Sequence, residues 1–163
     1  EMIKYVKITL GILIVLTTSR LIPHPPNFTS LIALGFYVPL IFGLRFIPAL
    51  IFCFIITDFL IGFHSTTLFT WGSLIVIGLI SSFFNNGIFK RMTGVFIGCC
   101  IFYLISNFGV WSLGSYGYTM EGLVECYILA IPFFGYTILS TSIYSIIIET
   151  VNKFYKIKYY SKL

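Results

Sequence analysis

Ser19-Arg20-Leu21-Ile22-Pro23-His24-Pro25-Pro26-Asn27-Phe28-Thr29 separates two apolar runs and decides how the rest of the chain is threaded. Pro23, Pro25 and Pro26 lack the backbone N–H that a helix needs, so no helix runs through the stretch. Their fixed φ angles also hold His24 and Asn27 in place. A rigid polar loop beside a cavity makes a lid.

The apolar run before the loop and those after it are long. About 20 largely apolar residues make a spanning helix, with a range of about 17 to 25. Six segments approach this, near 4–22, 28–44, 46–63, 67–86, 93–112 and 121–150. Lipid leaves an open backbone unsatisfied, so these segments are predicted helices. None shows the alternation of a barrel strand. The expectation is therefore an all-α integral membrane bundle of six transmembrane helices, with residues 1–163 forming one domain.

Composition agrees. The chain is 58% hydrophobic and only 9% charged, with a mean hydropathy of +1.02, whereas a globular protein carries roughly 25% charged residues. The net charge of +5 does not indicate nucleic acid, because the basic residues sit at the ends and turns of apolar runs. With the N-terminus inside and six alternating crossings, nine of the ten Lys and Arg residues fall on one side, Arg20 being the exception. Cytoplasmic loops carry such an excess. Both termini are accordingly expected in the cytoplasm, and the protein in a bacterial inner membrane.

Several local features refine the threading. The N-terminal run lacks an Ala-x-Ala-like cleavage site and reads as the first helix. The second and third segments are short and meet at Gly43-Leu44-Arg45. A re-entrant hairpin is the alternative there, though two full crossings suit the charges better. Pro48 fits a first helical turn. Pro132 should kink the long sixth segment into Glu121 to Ala130 and Phe133 to Glu149. Tyr155, Tyr159 and Tyr160 among lysines read as an interfacial anchor. Cys53, Cys99, Cys100 and Cys126 form no CxxC pair and read as small packing residues. Gly94-Val95-Phe96-Ile97-Gly98 reads as a helix-packing face.

The same threading gathers polar side chains from four segments near one rim. Arg20, His24, Asn27, Asp58, His64, Asn107, Trp111 and Glu121 are the candidate ligand-binding residues. Asp58 lies in an otherwise apolar run and needs a partner inside the bundle, for which Arg20 is the candidate. Asn107 and Trp111, four residues apart, share a helix face and offer an amide and an indole to a planar heterocycle. Thr119 is placed to cap the last segment, with Glu121 favoured by the helix dipole. Glu125, one turn on, repels Glu121 unless a cation or water is near. No Gly-rich phosphate loop, HExxH or GxSxG elbow is present, and no His/Cys spacing suits zinc. No catalytic residue, cofactor or metal is expected.

Arg20-Leu21-Ile22-Pro23-His24-Pro25-Pro26-Asn27-Phe28, Asp58-Phe59-Leu60-Ile61-Gly62-Phe63-His64 and Asn107-Phe108-Gly109-Val110-Trp111 resemble an uncharacterised family of small bacterial membrane proteins. In layout the chain is also distantly similar to the S components of energy-coupling-factor vitamin transporters. That likeness implies a site under the outer helix ends, closed by the loop after the first helix. The functional expectation is non-enzymatic uptake of a vitamin-like or heterocyclic molecule. The alternative is a structural or accessory subunit of a larger membrane complex, docking through a face near Gly94 and Gly98.

Overall fold

The first helix, α1 (Met2–Leu21), stops where the prolines begin. The computed structural model describes residues 1–157 and Tyr159. Lys158, Tyr160 and Lys162, part of the expected anchor, lie outside the described residues.

After the loop come α2 (Leu31–Phe42), a 3-10 turn at Leu44–Phe46 and α3 (Ile47–Ile61). Then follow α4 (Thr67–Ser81), a second 3-10 turn at Ser82–Phe84, α5 (Ile88–Ser112), α6 (Met120–Leu129) and α7 (Ile131–Tyr155). Every regular element among the described residues is helical. Five stretches are long and apolar enough to cross a membrane: Met2–Leu21, Leu44–Ile61, Thr67–Phe84, Ile88–Ser112 and Ile131–Tyr155. Their outward faces carry large exposed apolar side chains such as Ile14, Phe52, Leu79, Phe96 and Ile146.

One segment differs from expectation. The helical part of 28–44 is only α2, twelve residues long and so about 18 Å, well short of a roughly 30 Å hydrocarbon core. The polar stretch before it stays unwound. In α2 every residue from Ile32 to Leu40 is buried, because the helix sits between α4, α5 and α7, with α3 alongside. Segment 121–150 divides at Ala130 into α6 and α7, close to the division expected at Pro132. Ala130 N–H donates to the carbonyls of Cys126 and Tyr127, both at 3.2 Å, and Pro132 occupies the first turn of a new helix. A proline there loses no helical hydrogen bond.

Other local readings hold. Pro48 lies in the first turn of α3, and the Thr119 hydroxyl accepts from Gly122 N–H at 3.1 Å at the start of α6. Glu1 and Arg45 pair at 3.2 Å, so the start of the chain lies beside the α2–α3 turn. Arg91 and Glu149 lie at the same end of the bundle, opposite Arg20.

Close packing is concentrated where α2, α4 and α5 meet. A Cβ on Gly94 would lie 2.5 Å from Phe84 Cγ and 2.7 Å from Phe36 Cζ. Gly98 packs against Ile77 and Ile32, so the glycine face of α5 is filled by side chains of this chain. Gly94→Ala should lower the melting temperature in detergent by an overpacking penalty of about 1–3 kcal/mol. Gly11→Ala, with nothing within 4 Å, should leave it unchanged.

Candidate functional site

At the Arg20 end, three helices converge on one carboxylate. Arg20 closes α1 and its Nη2 lies 2.5 Å from Asp58 Oδ1 on α3. Its Nη1 donates to Thr57 Oγ1 at 2.6 Å, and Trp71 Nε1 of α4 donates to Asp58 Oδ2 at 2.7 Å. Asp58 is almost fully buried, whereas the Arg20 side chain is 14% exposed. Charge and hydrogen-bonding capacity are thus matched inside the bundle, as a buried acid requires. Arg20 was the partner expected for Asp58. Thr57 and Trp71 were not foreseen.

The loop follows directly. The His24 ring bonds back to the carbonyls of Pro25 (2.7 Å) and Arg20 (3.2 Å), tying the loop to the end of α1. Ser19 and Ser30 hydroxyls meet at 2.7 Å across its base. Asn27 has φ of 62°, a left-handed conformation that asparagine tolerates better than most residues. Its carbonyl accepts from Ser140 Oγ of α7 at 3.2 Å. Beneath it lies a cavity of about 30 Å³ lined by Asn27, Thr29, Ile32, Phe102, Thr137 and Thr141. From Phe102, α5 continues to Ser112, roughly 15 Å further. Residues 22–27 of the loop are themselves exposed, and only Ser30 at its end is buried.

The other expected residues do not join this cluster. His64 Nδ1 meets Thr67 Oγ1 at 3.1 Å in the α3–α4 turn. Asn107 Nδ2 donates to Tyr103 O at 2.8 Å within α5. Trp111 Nε1 donates to Thr119 O at 3.2 Å, closing the α5–α6 turn. Glu121 and Glu125 lie exposed along one face of α6.

At the opposite end is a polar network that sequence reading missed. Arg91 Nε and Nη2 hold the two Glu149 oxygens at 2.6 and 2.8 Å. Tyr37 Oη of α2 and Tyr159 Oη donate to the same carboxylate at 2.8 and 2.9 Å. The guanidinium also lies 4.0 Å from the Tyr159 ring centroid, a cation–π contact. Burial pushes the Tyr159 phenol up from its ordinary value, so it remains a donor at neutral pH. Arg91 reads in sequence as a topology charge, and Glu149 as the end of an apolar run. The available signal was the four-residue recurrence Thr137, Thr141, Ser145, Glu149, which places polar groups on one face.

A family model described as a family of unknown function (DUF6580) matches residues 2–163. No curated protein and no solved structure matches the chain. The chain belongs to that family of unknown function.

Proposed function

We propose that this chain is a membrane-embedded protein for binding and uptake of a small molecule, entering at the Arg20 end of the bundle. On this reading that end is outer, because the Lys and Arg residues gather at the other. A site closed by the loop after the first helix is what the S-component likeness implies, by analogy of layout.

The observation that carries the reading is the unwound segment before α2. Its residues 22–27 are exposed, while 28–30 turn inward to the start of α2. Discontinuous helices form transporter sites near the bilayer midplane. Here Asn27 O meets Ser140 partway along α7, above the cavity lined by Thr137 and Thr141. About 30 Å³ holds no more than one or two waters. Loop 22–30 must therefore lift from Ser140 to admit a ligand.

The test is native mass spectrometry of the purified protein, with melting shifts against a panel of neutral and cationic heterocycles. A bound mass or a shift should appear in the wild type and weaken at least tenfold in Thr141→Val, with the fold kept. Wild-type protein that retains nothing and shifts with no member of the panel would reject uptake.

The accessory-subunit reading has one observation in its favour: Arg20, Asp58, Thr57 and Trp71 satisfy one another and offer a ligand little. It requires a stoichiometric neighbour on purification under mild detergent. Its expected docking face at Gly94 is filled by Phe36 and Phe84.

A further inference from the structure

The buried face of α7 is polar along most of its length. Thr137, Ser140, Thr141, Ser145, Glu149 and Asn152 are all buried, although the helix is long and apolar enough to cross a membrane. Thr137, Thr141, Ser145 and Glu149 recur every four residues, so successive oxygens are separated by roughly 6 Å of helix rise. That gap is too wide for a direct hydrogen bond and suits one bridging water.

One hydroxyl marks the path independently. Serine or threonine within a helix usually bonds back to a carbonyl three or four residues earlier. Thr137 does so to Phe133 O at 2.9 Å, and Ser140 to Thr137 O at 3.2 Å. Ser145 is fully buried, and its Oγ is the one buried side-chain oxygen or nitrogen without a partner among the described residues. An orphaned hydroxyl of this kind calls for a water or a ligand group. It sits one turn from Thr141, which lines the cavity under Asn27, and one turn from Glu149.

We propose that this face of α7 is a hydrated path for a small, neutral, hydrogen-bonding solute, with Ser145 a binding station between the Asn27 cavity and the Arg91–Glu149 pair. The proposal rests on the uptake reading and extends it to release. Between the two ends the face offers hydroxyls and no charge, so an ion there would lack compensation. Arg91, Glu149, Tyr37 and Tyr159 close the far end: each must release a hydrogen bond before a solute can leave.

The test uses the full chain in liposomes, with Cys53, Cys99, Cys100 and Cys126 replaced by alanine, and Ser145→Cys introduced. Labelling by a small water-soluble methanethiosulfonate should be slow with the ion pair intact. Adding Glu149→Gln should speed it at least tenfold, and glycerol should slow it where potassium chloride of equal osmolarity does not. Ile146→Cys, on the exposed face, is the lipid-facing control and should stay slow in both backgrounds. An unchanged rate after Glu149→Gln, or equal labelling at position 146, overturns the path. Equal slowing by potassium chloride overturns the neutral-solute assignment. Should Glu149→Gln fail to fold, Tyr37→Phe serves instead, with at least threefold faster labelling expected and no change counting against the path. Labelling is read without any nutrient present, so it can succeed where ligand retention fails, and the reverse.

Discussion

Glu149→Ala should be the most damaging single truncation in the protein. It removes the carboxylate that holds Arg91, Tyr37 and Tyr159 together and leaves the Arg91 guanidinium buried and uncompensated. Breaking a buried pair from one side costs about 3–5 kcal/mol. Thermal unfolding in detergent, followed by tryptophan fluorescence, should show a large downward shift or outright loss of folded protein. Removing both charges at once behaves differently, because neither is then left unpaired. Arg91→Met combined with Glu149→Leu should therefore recover most of the loss, since apolar replacement of a buried pair is often neutral or better. A double variant as unstable as Glu149→Ala would show that packing, rather than the unpaired charge, sets the penalty.

At the other end of the bundle the two halves of an ion pair should be unequal. Arg20→Ala leaves Asp58 buried, with only the Trp71 indole as donor. Asp58→Ala leaves Arg20 partly exposed at the end of α1, where its long side chain can reach headgroups or water. Arg20→Ala should accordingly destabilise by about 3–5 kcal/mol, and Asp58→Ala by less. Trp71 reports on both: its emission should shift on Asp58→Ala, which removes its acceptor, even where the melting temperature moves little. Equal melting shifts for the two variants would show that Arg20 is as confined as Asp58.

These effects bear on how the uptake reading is tested. Asp58 anchors α1, α3 and α4 to one another, so a ligand lost on Asp58→Ala would report architecture as readily as contact. Thr141 and Ser145 lie away from that anchor and are the cleaner probes.

Much of the architecture was legible in the residues. Apolar length located every helix long enough to cross a membrane, and Pro23, Pro25 and Pro26 located the end of α1. Charge placement grouped Arg45 and Arg91 at one end and Arg20 at the other. The Arg20–Asp58 contact could be anticipated because an acid in an apolar run needs a cation and few were within reach. Residues 28–44 were expected as a spanning helix, and their helical part is only the twelve residues of α2. Hydropathy reports only that a segment avoids water, and α2 does so by being enclosed by other helices.

The scatter of His64, Asn107, Trp111 and Glu121 has the same origin. Each lies near the expected rim, yet each side chain settles on a neighbour within its own turn or hairpin, or faces outward. Sequence position limits depth in the membrane but leaves the direction around the helix axis free. That direction is set by which helices pack together.

By itself the sequence determined an all-helical chain of apolar segments, the places where those segments stop, and which ends carry charge, because hydropathy, proline chemistry and charge are properties of neighbouring residues. Only the tertiary structure decided that Glu149 is held by Tyr37, 112 positions away, that α2 is a short central helix, and that Ser145 lacks a partner. Those outcomes depend on which side chains packing brings within about 3 Å of one another, a distance that separation along the chain does not specify.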